Sequence, residues 1–417
     1  MSKQSNHGKV FTARSLEETK RILNSADRFG FKFFVYKILV RGWVSVANQA
    51  LLLLKYIVFK RVSDSTEGFR NIVVYTHGLL GDHVVILPAL AALKNRYQSA
   101  RISVIANLGP YPEAPSKLLR ALKCVDHLLV LDDHPVRRRG LHLILDPRVE
   151  GVTCDLFVNL APYGNRGWFK AVVREMIFAK WIGAKYAVGF HIATRRFRRI
   201  FDRIQHHFVE NEPLRSGRVL KELGLRPVEN ANLLPENPYA RNAVLQKIRA
   251  KKKDADSFFV VSPGGNLRVK HWPAEKFGLL VDWINMRYGA SVIIGGADRE
   301  REIAEDVVKA SGGLAASMVG ETDVHELIEL LRMAKCCVTN DNGIMHISAM
   351  IGIPTVAIFS MRIPPTWWFP NSDKIASIFS ITECRYCYDD YCESKHCLSN
   401  IEVDHIAGAI EQLLEAN

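Results

Sequence analysis

The sequence predicts an α/β fold of two similar halves that follow a basic N-terminal extension. Short β-branched runs end in glycine loops and lead into helical stretches, and this alternation stops near residue 227 and restarts at 257. Strands that alternate with helices indicate parallel sheets covered on both faces. The length of 417 residues agrees with this division, since a domain takes roughly 150 residues.

The composition is that of a folded protein with a positive surface. Hydrophobic residues make up 48% of the chain and charged residues 24%, which excludes a disordered tail protein or a fibrous repeat. The formal net charge is +13. Such an excess favours an anionic partner, which is a nucleic acid, a phospholipid surface or a phosphorylated ligand.

Residues 1–70 form the predicted extension and carry thirteen Lys and Arg against five Asp and Glu. Residues 33–59 are mostly apolar and are interrupted by Lys37, Arg41 and Lys55. Basic residues interleaved with aromatic ones suit a helix that lies in a membrane interface. The alternatives are a helix packed on the main body or on a partner subunit, and a spanning helix of marginal length.

The two predicted domains comprise residues 71–226 and 257–417, and residues 227–256 are predicted to form a polar, proline-containing linker that includes a polar helix. The predicted strands are 71–76, 101–106, 127–131, 155–160, 257–262, 291–294, 336–339 and 355–359. The predicted helices are 83–97, 169–181, 274–288, 299–310, 324–334, 343–350 and 403–414. Ligands of such sheets bind at the carboxyl ends of strands, so the candidate residues lie in the loops that follow them.

The first of these loops contains Gly78, Gly81 and Asp82. Its glycines permit close backbone approach to a ligand. Asp82 lies where the next helix begins. It is either a general base or the N-cap of that helix.

The second loop follows the strand at 257–262 and contains Gly264, Gly265 and Asn266, with Arg268 and Lys270 beyond them. Exposed backbone N–H groups next to cations suit a phosphate or diphosphate. The alternative is a solvated basic turn anchored by Trp272.

The third loop opens the helix at 343–350 with Asp341, Asn342 and Gly343. Asp341 or Asn342 can cap this helix, and free N–H groups at its start can hold an anion. Asp341 can also accept hydrogen bonds from sugar hydroxyls. His346 lies one turn on, on the same face as Gly343, and is either part of this site or simply packed.

Four segments in this order resemble glycosyltransferase family 9, the ADP-heptose:lipopolysaccharide heptosyltransferases. They are NIVVYTHGLLGDHVVILPALAAL, SPGGNLRVKHWP, IIGGADRERE and TNDNGIMHISAMIGIPTVAIF. The resemblance implies a GT-B fold, in which two Rossmann-like domains face a cleft. It further implies that residues 71–226 hold the acceptor, that residues 257–417 hold the nucleotide sugar, and that transfer inverts configuration without a catalytic metal.

The resemblance also assigns roles to residues. Asp82 matches the catalytic base, and Gly81 beside it is a candidate for acceptor binding. Lys270 matches the lysine that neutralises the departing diphosphate. Asp341 matches a sugar contact, and Asn342, Gly343 and His346, with Gly264, Gly265 and Asn266, complete the donor site. Asn266 and Asn342 stand where Ser or Thr is common in the family.

The expected partners are an ADP-sugar donor, a phosphorylated glycolipid acceptor of the lipopolysaccharide-core type and a membrane surface. The expected location is the cytoplasm, peripheral on the inner face of the cytoplasmic membrane. Arg195 and Arg196 belong to a basic segment that is a candidate for acceptor contact, and the alternative is a solvated helix face. No nucleic acid is expected. The rival hypothesis is a nucleic-acid-binding protein that uses the basic arm and a four-cysteine metal site.

That metal site would use Cys384, Cys387, Cys392 and Cys397, which follow the pattern C-x2-C-x4-C-x4-C. Four thiolates can hold a structural zinc or iron. Reduced cysteines and a disulfide pair are the alternatives. Catalysis itself is expected to need no cofactor.

Overall fold

The computed structural model describes residues 9–26, 31–62, 68–139, 142–162, 168–191, 211–228, 233–382, 386–387 and 389–416. The chain divides into two compact units. The N-terminal unit is Arg28–Leu233, and the C-terminal unit combines Leu234–Asn417 with Met1–Asp27.

The helices and strands follow one another in chain order. The first part contains β1 (Lys9–Ala13), α1 (Leu16–Ala26), α2 (Phe31–Val58), β2 (Asn71–His77), α3 (Leu80–Val84), α4 (Leu87–Arg96), β3 (Arg101–Asn107), α5 (Glu113–Arg120), β4 (His127–Leu131), β5 (Val136–Arg139), β6 (His142–Leu145), β7 (Leu156–Asn159), α6 (Trp168–Trp181), β8 (Tyr186–Val188) and α7 (Glu212–Lys221). The second part contains α8 (Pro238–Ala250), β9 (Phe258–Ser262), α9 (Ala274–Tyr288), β10 (Ser291–Ile294), α10 (Arg301–Ala310), β11 (Ala315–Ser317), α11 (Val324–Met333), β12 (Cys337–Asn340), α12 (Gly343–Ile351), β13 (Thr355–Phe359), β14 (Ile375–Ile381), α13 (His396–Ser399) and α14 (Val403–Glu415).

The N-terminal unit is built on a parallel sheet with strand order β4-β3-β2-β7-β8. Val74 at its centre lies opposite Val104 on one side and Val158 on the other, and all three are buried. Buried aromatic rings fill one face, where Phe157 stacks on Phe190 with ring centroids 5.9 Å apart. Strands β5 and β6 form a separate antiparallel hairpin.

The C-terminal unit is built on a seven-stranded sheet with order β1-β14-β13-β12-β9-β10-β11. Only β1 runs antiparallel to its neighbour within this sheet. All five residues of β9 are buried, as expected for a central strand covered by helices on both faces. The expected α/β class is therefore confirmed in both units.

The division of the chain differs from the sequence prediction at two places. The predicted extension 1–70 is not one segment, because β1 pairs with β14 in the C-terminal unit while α2 belongs to the N-terminal unit. The predicted linker 227–256 contains α8, whose cap Asn237 accepts a hydrogen bond from the N–H of Ala240. This helix packs against α11 and so belongs to the C-terminal unit.

The apolar stretch at 33–59 falls in α2, and one face of the end of that helix packs on the N-terminal unit. Ala47, Leu51 and Phe59 are buried in the core, and the buried Lys55 forms an ion pair with Glu222. Packing on the main body is therefore correct for this face. Within the described part of the chain, no helix combines the length and hydrophobicity needed to cross a membrane.

Other differences are local. The predicted helix 83–97 is two helices, α3 and α4, because the chain turns at residues 85–86 before Pro88. Strands β1, β8, β11 and β14 and the hairpin were not predicted. They are either very short or owe their extended form to a neighbouring strand.

Candidate functional site

Three loops meet at the carboxyl edge of the C-terminal sheet, and the side chain of Asn342 joins two of them. Its amide nitrogen donates to the Ser262 hydroxyl and to the Gly264 carbonyl, each at 3.0 Å. Its amide oxygen accepts from the N–H groups of Ile344 and Met345 at 2.9 and 3.4 Å, which caps α12. The loops after the adjacent strands β9 and β12 are thus joined by hydrogen bonds among Ser262, Gly264 and Asn342. We call this junction the corner.

Lys270 and Asp341 form an ion pair in this corner. The Lys270 Nζ lies 2.6 Å from Asp341 Oδ2. The Lys270 side chain is 16% exposed and that of Asp341 7%. A charge pair this sheltered is held in a defined geometry, because each partner alone would be costly to keep out of water.

Trp272 fixes the segment that carries Lys270. Its ring is fully buried, and its Nε1 donates to the Ile401 carbonyl at 2.9 Å. Its backbone N–H donates to Asn340 Oδ1 at 3.3 Å, and Asn340 Nδ2 donates to the Pro263 carbonyl. Trp272 thus ties the Lys270 turn to the sheet, as the alternative of an anchored turn expects, but Lys270 itself is sheltered and not solvated.

Glu300 supports the glycine loop from the other side. This buried carboxylate accepts the N–H of Ala297 at 2.8 Å and also the backbone N–H of Gly265. Burial raises the pKa of Glu300, and these two hydrogen bonds oppose the rise. A Cβ at Gly264 would lie 2.6 Å from Glu300 Cδ, so glycine at 264 is required for this contact.

His346 is buried beneath the corner and lies edge-on to Trp368, with ring centroids 5.8 Å apart. Burial lowers its pKa to about 4, and the nearby charges of Asp341 and Lys270 act in opposite directions. The ring is therefore neutral near pH 7, which suits a packing and hydrogen-bonding role better than a cationic one.

The remaining predicted donor residues occupy the same edge. Gly343 begins α12, and Asn266 is exposed in the loop after Gly265. Arg268 is exposed and paired with Glu302 at 2.6 Å. These residues are close in sequence to the corner, but their own contacts do not tie the loops together.

In the N-terminal unit, Asp82 lies at the carboxyl end of β2. It is the third residue of α3, and its Oδ2 accepts the N–H of Leu79 at 2.7 Å. It is therefore not the N-cap itself, although it does bond the cap residue's amide. Gly78 has φ 130°, and a Cβ there would lie 2.4 Å from Asp82 Cγ. Gly78 thus makes room for the carboxylate, while Gly81 lies half-buried inside α3.

The predicted acceptor arginines and the predicted cysteine site are described only in part. Arg195, Arg196 and Cys384 lie outside the described residues. Cys387, Cys392 and Cys397 are half-buried, and no disulfide bond joins them to another described cysteine. Among the described residues no group of His, Cys, Asp or Glu is arranged to hold a metal ion, so the four-cysteine site stays a prediction.

Comparison with known proteins decides the family. The family model for glycosyltransferase family 9 (heptosyltransferase) matches residues 178–398, more than half of the chain. The chain belongs to glycosyltransferase family 9. The resemblance to this family is thereby confirmed, and the matched range contains three of the four motifs.

Individual relatives of this family 9 protein are distant. It is 27% identical over 118 residues to lipooligosaccharide heptosyltransferase 2 of Haemophilus influenzae, which is 27% of this chain and 33% of that protein. The match thus spans about a third of that relative's length.

Two solved structures share the fold. The glycosyltransferase family 9 protein of Veillonella parvula has a TM-score of 0.61 at 18% identity, over 84% of this chain and 98% of the other. The ADP-heptose lipopolysaccharide heptosyltransferase II of Escherichia coli gives 0.58 at 16%, over 83% and 99%. The predicted GT-B class is confirmed at the level of the fold.

Two residues of the corner were missed or underrated by the sequence prediction. The sequence analysis assigns no role to Glu300, whose only signal is its place in IIGGADRERE, directly after the β10 loop. It assigns no role to Asn340 either. The side-chain amide of a buried Asn needs hydrogen-bond partners. Asn340, at the end of a central strand, finds them in the Trp272 N–H and the Pro263 carbonyl.

Proposed function

We propose that this protein is an inverting glycosyltransferase that moves a heptose or a similar sugar from an ADP-sugar to a lipopolysaccharide-core or related glycolipid acceptor. Membership of family 9 supports the reaction class. The names of the relatives, a lipooligosaccharide heptosyltransferase and an ADP-heptose lipopolysaccharide heptosyltransferase, support the donor and acceptor classes. We assign the donor to the C-terminal unit and the acceptor to the N-terminal unit.

The observation that carries the proposal is the sheltered pair of Lys270 and Asp341 at the start of α12. A departing nucleoside diphosphate develops negative charge, and a preorganised ammonium group stabilises that charge. As the diphosphate binds Lys270, the Asp341 carboxylate becomes available to accept hydrogen bonds from sugar hydroxyls. The ion pair of Lys270 and Asp341 thus holds in place the side chain proposed for the diphosphate and the one proposed for the sugar.

The N-terminus of α12 contributes differently from the sequence expectation of free N–H groups. Asn342 already occupies the N–H groups of Ile344 and Met345. Its side chain is neutral, so the positive end of the helix dipole still favours an anion nearby. Lys270 and this dipole together are proposed to hold the diphosphate.

Asp82 is proposed as the general base. It takes the proton of the acceptor hydroxyl, whose oxygen forms a bond to the anomeric carbon on the face opposite the diphosphate. The bond from that carbon to the diphosphate breaks, and its electron pair leaves with the ADP. The sugar is transferred with inversion.

The proposed setting is the cytoplasmic face of a membrane that carries the glycolipid acceptor. We propose no cofactor for the transfer step and a structural zinc or iron at Cys384, Cys387, Cys392 and Cys397. Elemental analysis of purified protein tests the metal, and a zinc and iron content near zero would contradict it.

The donor proposal is tested by calorimetric titration of the protein with ADP, UDP and GDP. We expect selective ADP binding that Lys270→Ala weakens by about tenfold or more, because a hydrogen bond to a charged group is lost. The matched control is Lys247→Ala, which removes the Lys247–Glu326 ion pair of the same 2.6 Å length in the same unit.

Lys270→Ala also leaves Asp341 unpaired in a sheltered place. The double variant Lys270→Ala/Asp341→Asn removes that cost and separates folding from binding. If the folded double variant and the wild type bind ADP equally, Lys270 is not the diphosphate contact. If the wild type binds none of the three nucleotides, the donor-site assignment fails.

A further inference from the structure

An apolar face of α2 is left in solvent although the opposite face of the same helix is buried. Ala47, Leu51 and Lys55 lie on the buried face. Val46, Leu53 and Ile57 lie on the other and are 64%, 66% and 74% exposed. The spacing of these residues puts them in one stripe along the helix.

The flanks of this stripe are also apolar. Leu52 and Tyr56 are exposed beside it, so five large apolar side chains lie uncovered within three helical turns. Single exposed apolar residues are common, but a contiguous patch marks a surface that binds something. We call these five residues the α2 stripe.

Cations collect at the carboxyl end of the stripe. Lys60 and Arg61 follow α2 directly, and the Arg61 guanidinium lies 4.9 Å from the centre of the Tyr56 ring. The Lys60 N–H bonds the Lys185 carbonyl at 3.0 Å, and Lys180 Nζ reaches the Val58 carbonyl. All four basic side chains are exposed, and the half-exposed ring of Trp181 lies next to Lys180.

Carboxylates near this end are engaged elsewhere. Glu222 pairs with the buried Lys55, and Asp155 accepts the backbone N–H groups of Arg70 and Asn71. Residues 28–70 contain eight Lys and Arg against two Asp and Glu. The surface therefore combines an apolar stripe, interfacial aromatic rings and an excess of positive charge.

This combination favours an anionic bilayer over other occupants. In a two-fold contact between copies of the chain, the same surface faces itself, so each basic cluster would approach the other cluster or the apolar residues beside it. A nucleic acid would use the cations but would leave Leu53 and Ile57 in water. A membrane interface accepts both, since apolar side chains enter the acyl boundary while Lys and Arg meet lipid phosphates.

We propose that the α2 stripe inserts into the interface of an anionic lipid bilayer, with Lys60, Arg61, Lys180 and Lys185 on the lipid phosphates. This deepens the membrane location of the proposed function by naming the surface that docks. The test needs neither donor nor acceptor, so docking and sugar transfer can fail independently of one another.

The experiment is co-sedimentation of the full-length protein with vesicles of phosphatidylcholine alone and with about one third phosphatidylglycerol. We expect binding to the anionic vesicles that Leu53→Gln/Ile57→Gln weakens by about tenfold or more. Lys60→Glu/Arg61→Glu should weaken it similarly, and the effect should shrink as salt is raised.

The matched controls carry the same changes on other exposed positions. Leu279→Gln/Met286→Gln alters two exposed apolar residues of α9, and Arg241→Glu/Lys309→Glu reverses two exposed cations. Both should bind vesicles like the wild type. Circular dichroism and thermal unfolding check that each variant is folded.

Three results would overturn the proposal. The first is that folded Leu53→Gln/Ile57→Gln binds anionic vesicles as well as the wild type. The second is that the wild type binds neutral vesicles as well as anionic ones, and that Lys60→Glu/Arg61→Glu binds both as the wild type does. The third is that the wild type does not bind anionic vesicles. If sedimentation velocity then shows a dimer that Leu53→Gln/Ile57→Gln abolishes, the stripe is a contact between copies of the chain.

Discussion

At the residue scale, the candidate functional site consists of a few polar side chains that differ in their contacts and therefore in their roles. Lys270 and Asp341 are sheltered together, Asn342 and Glu300 hold loops, and Asp82 bonds the amide of Leu79. The sequence predicted most of these residues because they follow strands. It could not predict that Asp341 would be the partner of Lys270, since the pairing depends on how two loops fold over one sheet edge.

The Asp82 assignment predicts a loss of transfer without a loss of donor binding. In Asp82→Asn the amide oxygen can still accept the Leu79 N–H, so α3 should keep its start. A neutral amide cannot take the acceptor proton, and the transfer rate should fall by about a hundredfold to ten-thousandfold. The measurement is the transfer rate at saturating donor and acceptor, beside ADP affinity by calorimetry.

Asp323→Asn is the control for this change, because Asp323 also bonds backbone N–H groups at a helix start, that of α11. It should leave the rate unchanged. Transfer by Asp82→Asn at the wild-type rate would remove Asp82 as the base.

The raised pKa of the buried Glu175 carboxyl predicts that the stability of the protein depends on pH. Burial raises its pKa from 4.5 to about 7, although the side chain of Asn159 donates to it at 2.6 Å. The folded protein keeps this proton where the unfolded chain has lost it, so the free energy of unfolding falls as pH rises from about 4.5 through about 7. Buried His83, whose pKa is lowered to about 4, acts in the opposite direction.

Glu175→Gln removes one of these contributions and leaves the other unchanged. The variant should gain stability relative to the wild type between about pH 5 and about pH 8, as measured by urea unfolding at both values. Glu150→Gln, at an exposed position, should show no such gain. A difference between Glu175→Gln and the wild type that is constant across pH would mean that Glu175 is ionised in the folded protein.

At the scale of elements, the corner proposed to bind the donor is the junction of β9, β12 and α12. Strand-to-helix loops were predictable from the alternation of patterns, and so was the start of α12 near Asn342. The number of bonds that Asn342 makes was not predictable, because Ser262 and Gly264 are about eighty residues away in the chain. An amide can cap a helix and donate to a neighbouring loop at once, which a hydroxyl at this position could do only in part.

Asn342→Ala should therefore cost more than the loss of an ordinary cap. Losing the cap alone costs about 1 kcal/mol, and losing two further hydrogen bonds should add about 1 kcal/mol or more. Asn237→Ala is the control, since Asn237 caps α8 in the same unit. Urea unfolding should show the larger loss for Asn342→Ala, and calorimetry should show weaker ADP binding for that variant alone. Equal costs in the two variants would mean that the loop bonds of Asn342 contribute nothing.

At the scale of the whole molecule, β1 near the start of the sequence pairs with β14, which comes late in the sequence, in one sheet. β1 covers the edge of β14, with Phe11 stacked on Phe379 at 6.0 Å between ring centroids. Without β1, an apolar strand would present unpaired N–H and C=O groups, which favour aggregation. The N-terminal segment is thus partly structural, and it is not a single extension as predicted.

Deleting residues 1–14 should lower the midpoint of thermal unfolding and increase aggregation, as measured by light scattering during heating. Deleting residues 1–8, which precede β1, is the control and should change neither. A truncated protein of unchanged midpoint and solubility would show that β1 does not protect this edge.

The α/β class, the two-fold repetition of strand, glycine loop and helix, and the loops that hold the candidate residues were all predictable. These features depend on the pattern of neighbouring residues, which a single sequence displays. Long-range contacts were not predictable: β1 pairs with β14, more than 350 residues away in the chain, Lys55 is buried beside Glu222, and Lys270 pairs with Asp341. Such contacts depend on which distant segments meet, and no local pattern encodes them, because edge pairing and buried ion pairs are selected by the packing of the whole unit.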